Sequence, residues 1–137
     1  MASAYFASLD TAEVIEVEFL SLQGNVRTLK LLVDTGSSGR SSVVLGPDAH
    51  ELFRAMLPVA ETTGALRGHQ ERAWVTCKIP GLNLQSTVIA IVADLTPLTL
   101  PIGVDGMVGL SFLRLFARWG AERTRHGSRF FLVDEEV

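Results

Sequence analysis

Strand-length apolar segments recur about every ten residues along this chain, and turn residues separate them. The segment Ala12–Leu20 alternates apolar and acidic residues from Ile15 onward, which predicts a half-buried strand. Gln23-Gly24-Asn25 supplies a turn and Thr28–Val33 a second strand, so the two segments predict a hairpin. A chain with this spacing is expected to form a mainly β, barrel-like domain with one or two short helices.

The same signals predict the remaining elements. In chain order these are an extended segment at Ser42–Leu45, a helix from Pro47 to about Met56, two hairpin arms at Val59–Thr63 and Arg72–Ile79, a long strand at Leu82–Ala93, a helix from an N-cap at Ser111 to Trp119, and a strand at Arg129–Val133. Core-spaced aromatic and leucine side chains predict the second helix, and Gly120 is expected to end it.

Composition limits the classes of protein to which the chain can belong. Its 137 residues predict one domain, residues 1–137 with a core of about 12–133. A net charge of −3 disfavours a nucleic-acid partner. No apolar run reaches the roughly 18 residues of a membrane span, so no membrane contact is predicted within the chain. As written the chain is expected to be cytoplasmic, whereas an upstream segment would indicate a periplasmic or membrane-anchored protein.

Few residues suggest a metal or a nucleophilic side chain. His50, His69 and His126 lack the spacing of metal ligands, so neither a metal nor another cofactor is predicted. The single cysteine, Cys77, excludes a disulfide framework and lies within a predicted strand without a neighbouring histidine signature. The chain also lacks a G-x-S-x-G motif for a nucleophilic serine.

The most informative motif is Asp34-Thr35-Gly36, which directly follows the apolar strand Leu31–Val33. A buried strand here delivers an acid onto a tight loop, and Gly36 allows another backbone to approach closely. From the tripeptide alone, two interpretations stay open: a catalytic acid, or an Asx-type turn between two strands.

A second segment, Asp105-Gly106-Met107-Val108-Gly109, follows about 70 residues later and precedes the second predicted helix. In order and spacing the chain resembles the retropepsin-like aspartic proteases, especially their bacterial members, over roughly residues 12–133. The matching pieces are Asp34-Thr35-Gly36, the flap hairpin at Thr62-Thr63-Gly64, Met107-Val108-Gly109 and the helical segment Phe112–Trp119.

The resemblance implies a closed acid-protease barrel that hydrolyses peptide bonds as an aspartic endopeptidase. It implies that Asp34 is the catalytic acid, that Thr35 fixes the loop through cross-subunit hydrogen bonds, and that Gly36 contacts the substrate backbone. Two neighbouring carboxylates share a proton, so one can activate water while the other protonates the scissile carbonyl. Because the chain carries one such motif, the functional unit is expected to be a two-fold homodimer.

The resemblance also implies the residues that would contact a peptide or protein substrate. These are Ser37, the flap-tip residues Thr63, Gly64 and Ala65, and the wall residues Val104, Asp105 and Met107. A hydroxyl at Ser37 that donates to Asp34 would lower the apparent pKa of the dyad and favour an acidic optimum. For Asp105 two interpretations stay open: a pocket residue that favours a basic substrate side chain, or a turn residue before Gly106.

Two departures from the family pattern lead to an alternative function. The step from Ser38 to Ser42 is about three residues longer than usual in the family, and Leu110 stands where retroviral enzymes carry arginine. The alternative is a retropepsin-like fold kept as a non-proteolytic dimerisation or peptide-binding module.

Overall fold

Ten strands and two short helices are formed by residues 2–36, 42–58 and 70–134, which the computed structural model describes. The strands are β1 (Ala2–Ala7), β2 (Val14–Leu20), β3 (Val26–Val33), β4 (Val43–Leu45), β5 (Arg54–Pro58), β6 (Gln70–Lys78), β7 (Gln85–Ala93), β8 (Gly106–Val108), β9 (Arg118–Thr124) and β10 (Gly127–Asp134). A 3₁₀ helix spans Pro47–Leu52, and α1 spans Leu110–Leu113. The mainly β prediction is therefore confirmed.

Six of the strands close into a barrel. Their order is β2, β3, β8, β4, β7 and β6, and β6 pairs with β2 to complete the ring. Strand β5 is hydrogen-bonded to β6 outside this ring. The predicted hairpin is confirmed, because β2 and β3 pair antiparallel from Val14–Leu32 to Leu20–Val26.

Strand alternation fills the barrel interior. Ile15, Val17 and Phe19 of β2 are fully buried, whereas Glu16 between them is exposed. A period of two along a strand places alternate side chains on opposite faces, so the apolar set of each strand meets inside the ring. The same pattern in the other strands builds one continuous core.

Strand β8 lies between two segments that are far from it in sequence. It runs parallel to β3 and antiparallel to β4, and β4 in turn runs parallel to β7. Strand β8 begins with Gly106, and a Cβ atom at this position would lie 2.2 Å from the carbonyl oxygen of Val44. The β3–β8–β4 crossing therefore depends on a backbone contact that only glycine permits.

The two ends of the described chain form a separate three-stranded sheet in the order β1, β10, β9, named here the terminal sheet. Its inner face packs on the barrel core through Phe130 and Leu132, which are buried. Asp134 Oδ2 accepts the backbone N–H groups of Asn83 and Leu84 at 3.2 and 3.0 Å. This carboxylate thereby ties the terminal sheet to the turn before β7.

Both helix predictions are wrong about where the helix ends. The first helix stops at Leu52, and Met56 lies in β5, where antiparallel pairing with β6 replaces helical hydrogen bonds. The second helix is a single turn whose N-cap is Gly109, not Ser111, and Trp119 lies in β9. Pairing with β10 over seven residues outweighs the helical spacing of the apolar side chains there.

Other boundaries differ less. The predicted strand Leu82–Ala93 is confirmed from Gln85 onward, and the extended segment Ser42–Leu45 contains β4. The first flap arm, predicted at Val59–Thr63, lies outside the described residues. None of the described helices has the length and apolar run needed to cross a membrane.

Candidate active site

Asp34 lies at the point where β3 leaves the barrel. Its backbone N–H donates to the carbonyl oxygen of Val108 at 2.9 Å, which continues the parallel pairing of β3 with β8 by one more bond. One residue earlier, the N–H of Val33 donates to the carbonyl oxygen of Glu13 at 2.8 Å. The backbone that carries the acid is therefore held on both sides by neighbouring segments.

The loop after β3 turns tightly on the Asp34 carboxylate. The N–H of Gly36 donates to Asp34 Oδ1 at 3.1 Å, which is an Asx turn. A Cβ atom at position 36 would lie 3.3 Å from this Oδ1, so glycine leaves the carboxylate room. Asp34 is half-buried, whereas Thr35 and Gly36 are exposed. Among the described residues, no group donates a hydrogen bond to Asp34 Oδ2.

Ser42 lies on the β4 side of the β3–β8–β4 crossing, and no sequence pattern predicted a role for it. Its carbonyl oxygen accepts the N–H of Gly109 at 2.9 Å, and its N–H donates to Ile89 at 2.8 Å. The Ser111 hydroxyl donates to the Ser42 hydroxyl at 3.2 Å. Ser42 is buried, so these bonds hold the start of β4 against the residues that follow β8.

Four apolar side chains form a row on the outer face of the barrel, starting two residues before Asp34. In strand order, each pairing directly with the next, they are Leu32, Met107, Val44 and Ile91. All four are half-buried, whereas the residues beside them in sequence, such as Leu31 and Val43, point into the core. The apolar row is therefore a continuous apolar strip across four strands on the outside of the barrel.

Of the predicted wall residues, only Met107 belongs to the apolar row. Sequence reasoning missed Leu32, Val44 and Ile91, although their alternation with buried neighbours is a signal that could have identified them. Val104 lies elsewhere, in a groove beside β1. The predicted contacts Ser37, Thr63, Gly64 and Ala65 lie outside the described residues.

Asp105 makes two contacts with the backbone of β3. Its Oδ2 accepts the N–H of Lys30 at 2.9 Å, and its own N–H donates to the carbonyl oxygen of Lys30 at 2.7 Å. These bonds favour the turn interpretation of Asp105, because they anchor the entry to β8 against β3. The side chain is nevertheless exposed, so it also presents a negative charge to solvent.

Other reactive groups do not converge on this site. Burial raises the pKa of the Cys77 thiol to about 12, which keeps the sulfur protonated and poorly nucleophilic near neutral pH. Within residues 2–36, 42–58 and 70–134, no three histidine, cysteine or acidic side chains are grouped so that they could hold a metal ion. Neither the protein-family models nor the curated proteins contain a match to this sequence.

Proposed function

We propose that the chain is an aspartic endopeptidase whose catalytic dyad consists of Asp34 from each of two copies. The observation that carries the proposal is the position of Asp34: its half-exposed carboxylate, whose Oδ2 accepts no hydrogen bond from a described residue, lies at the end of the apolar row. An acid held by backbone on both sides and adjoining a surface suited to an extended peptide can act on that peptide.

Two carboxylates are needed because hydrolysis requires a base and an acid in the same step. The ionised carboxylate takes a proton from water as the water oxygen attacks the scissile carbonyl carbon. The protonated carboxyl gives its proton to the carbonyl oxygen, which forms a tetrahedral diol. When the C–N bond breaks, the amine nitrogen takes one proton from the dyad and the diol returns one, so a single shared proton remains.

One chain supplies one such acid, which is why a second copy is part of the proposal. Asp34-Thr35-Gly36 occurs once in the sequence. A two-fold axis that passes between two Asp34 side chains would bring identical groups together, as an isologous interface requires. The peptide would then lie across the axis, with one apolar row from each copy on either side of the scissile bond.

The alternative function is a peptide-binding or dimerisation module without hydrolysis. The observation in its favour is the Asx turn, because a hydrogen bond from the Gly36 N–H to Asp34 Oδ1 also occurs in purely structural loops. The two functions share the apolar row and differ in what the Asp34 carboxylate does.

The test compares Asp34→Asn with wild type on a random peptide library across pH 3–8, with cleavage followed by mass spectrometry. We expect the variant to lose at least about a thousandfold in cleavage rate, because the amide can neither accept nor donate the proton that the reaction moves. Asp10→Asn, which changes an exposed acid in the turn after β1, is the matched control and should cleave like wild type. Equal cleavage by wild type and Asp34→Asn would contradict the proposal. Peptide binding without cleavage would favour the module.

A further inference from the structure

A groove of about 540 Å³ lies between β1 and the outer face of the β2–β3 hairpin. Its apolar lining includes three strongly exposed side chains, those of Tyr5, Leu9 and Ile102. Glu16 and Lys30, which are direct cross-strand partners, also line it, and neither forms an ion pair with any described residue. Exposed apolar side chains concentrated in one groove are typical of an interaction site.

One wall of the groove is the edge of β1 that no described strand covers, called here the free edge of β1. The N–H of Ser8 donates to the carbonyl oxygen of Ser128 at 3.0 Å, which identifies this pair as a hydrogen-bonded one. In an antiparallel ladder hydrogen-bonded pairs alternate with non-bonded pairs, so every second residue of β1 directs its N–H and C=O away from β10. These residues are Ser3, Tyr5 and Ala7, and no described backbone group pairs with them.

The groove follows this edge and does not lie over one face of β1. Four consecutive residues, 4 to 7, all line it, although alternate side chains of a strand point to opposite faces. An extended peptide in the groove would therefore meet the unpaired backbone groups as well as the apolar side chains. Strand addition to an exposed sheet edge is a common mode of peptide recognition.

The walls favour a single extended chain over a second copy of the protein. The face of the β2–β3 hairpin, at Val14 and Glu16, and the loop residues Ile102 and Val104 stand opposite the edge of β1. A partner's β1 would bring its own β10 and β9 along, whereas a groove of about 540 Å³ holds only a few residues. A peptide one strand wide brings no such sheet.

The groove also adjoins the apolar row. Val14 pairs directly with Leu32, the first residue of the row, and Asp34 follows two residues later. One strand spacing of about 4.8 Å and two residues of about 3.4 Å each separate Val14 from Asp34, a path that roughly three extended residues span. We propose that this groove binds, by strand addition to β1, the segment of a peptide substrate that lies about three to six residues from the scissile bond. That the peptide is a substrate rests on the proposed function.

The groove also predicts which features of the peptide matter. Apolar side chains of the peptide should face Val14 and Val104. Glu16 and Lys30, which form no ion pair with a described residue, should each attract an opposite charge on the peptide. Alternate backbone N–H groups of the peptide should pair with β1, so N-methylation at every second position should weaken binding and the intervening positions should tolerate it.

The experiment measures binding and does not depend on catalysis. The probe is a fluorescein-labelled twelve-residue peptide selected from a random library by immobilised Asp34→Asn protein. Ala7→Pro removes one N–H from the free edge of β1, and in the same Asp34→Asn background we expect its Kd to rise about tenfold. Ala121→Pro is the matched control, because Ala121 is an exposed alanine on the opposite free edge of the same sheet. It should change Kd by less than about twofold, and circular dichroism should show both variants folded.

A truncated probe distinguishes the groove from the apolar row. Two truncated peptides are compared, one lacking four residues at its N-terminus and one lacking four at its C-terminus. One of the two truncations should raise the Kd for the Asp34→Asn protein about tenfold. For that truncated peptide, adding Ala7→Pro should have no further effect on Kd. Equal Kd values for the Asp34→Asn protein with and without Ala7→Pro would overturn the proposal. So would an increase in Kd with Ala121→Pro that equals the increase with Ala7→Pro. A shift of Ala7→Pro from dimer to monomer by sedimentation, with Kd unchanged, would instead identify a second copy as the occupant. Groove binding without Asp34-dependent cleavage would reject the protease function alone.

Discussion

In the barrel each of the six strands has a neighbour on both sides. Within the described residues, the terminal sheet instead ends in two strands, β1 and β9, that are each paired on one side only. Both regions bury apolar side chains in the same core, including Leu31 from the barrel and Leu132 from the terminal sheet. They differ in what their backbones leave available. Backbone hydrogen bonds of the barrel hold Asp34 in place, whereas the edges of the terminal sheet carry backbone groups that no described residue pairs with.

This difference suggests that the barrel positions the candidate catalytic acid and that the terminal sheet binds peptide. The β3–β8–β4 crossing combines segments from three parts of the chain, and a site built on such a crossing is rigid because each strand restrains the next. The edge of β1 can add a strand without breaking any existing pair. Changes in the crossing should therefore damage folding or catalysis, while changes at the edge should alter binding.

The largest effect is expected where the crossing is tightest. Gly106→Ala would place a Cβ atom 2.2 Å from the carbonyl oxygen of Val44, a backbone atom that cannot move aside alone. We expect a loss of about 3 kcal/mol in the free energy of unfolding, measured by urea denaturation. Gly120→Ala in β9 is the matched control: its Cβ meets only the Phe131 ring at 3.5 Å, and stability should change by less than about 1 kcal/mol. Equal losses would show that the crossing is no tighter than the terminal sheet.

The next effect concerns the tie between the two regions. Asp134→Ala removes the acceptor of the N–H groups of Asn83 and Leu84, which lie next to a buried carboxylate. We expect the free energy of unfolding to fall by about 2 kcal/mol, because two backbone donors lose the buried carboxylate that accepts their hydrogen bonds. Asp134→Asn keeps an acceptor oxygen and should recover most of the loss. Hydrogen exchange should report faster exchange in β10 for the alanine variant, and unchanged exchange there would contradict the tie.

Asp105 allows the two interpretations left open by the sequence to be separated. Asp105→Ala removes the acceptor of the Lys30 N–H and should cost about 1 kcal/mol, whereas Asp105→Asn keeps an acceptor and should cost less. Thermal denaturation of both variants measures this difference. A pocket role makes a different prediction: Asp105→Asn would lower cleavage of peptides with a basic side chain near the scissile bond and leave stability unchanged.

The smallest effect is expected from the ion pair between Arg27 and Glu51, at the end of the β2–β3 hairpin far from Asp34. The hydrogen bond from Arg27 to Glu51 is the main cause that holds the pKa of Glu51 below its ordinary value of 4.5. Because the folded pKa lies below the unfolded one, the stabilisation is present above about pH 4.5 and is lost as pH falls through the folded pKa. Glu51→Gln should lower stability by about 0.5 kcal/mol at pH 7, because solvent screens the pair, and the difference should shrink as the pH falls from 4.5 toward 3. A constant difference across this range would assign the loss to packing.

Local patterns predicted the parts of the fold that local interactions determine. The β2–β3 hairpin follows from alternation around Gly24, whose φ of +90° is a conformation that glycine adopts without strain. The resemblance in motif order predicted that the Met107 segment lies beside the Asp34 loop, and β8 does pair with β3 there. That pairing joins residues about 75 positions apart, and no local pattern contains it.

Tertiary pairing explains the errors. Phe112 and Phe116 have helical spacing and their rings lie 5.6 Å apart, yet the helix ends at Leu113 because β9 pairs with β10 from Arg118 onward. Strand β1 was not predicted at all. Its sequence, largely alanine and serine, has weak strand propensity, and it becomes a strand through pairing with β10 at the other end of the chain.

The shared dyad is tested most directly by mixing wild type with Asp34→Asn protein, refolding the mixture and measuring peptide cleavage at a fixed amount of wild type. With a ninefold excess of variant, random pairing leaves about a tenth of the wild-type chains in wild-type dimers, so cleavage should fall about tenfold. The same excess of Asp10→Asn protein should instead raise cleavage in proportion to total protein. Cleavage that stays constant as Asp34→Asn protein is added would contradict a site shared between two chains.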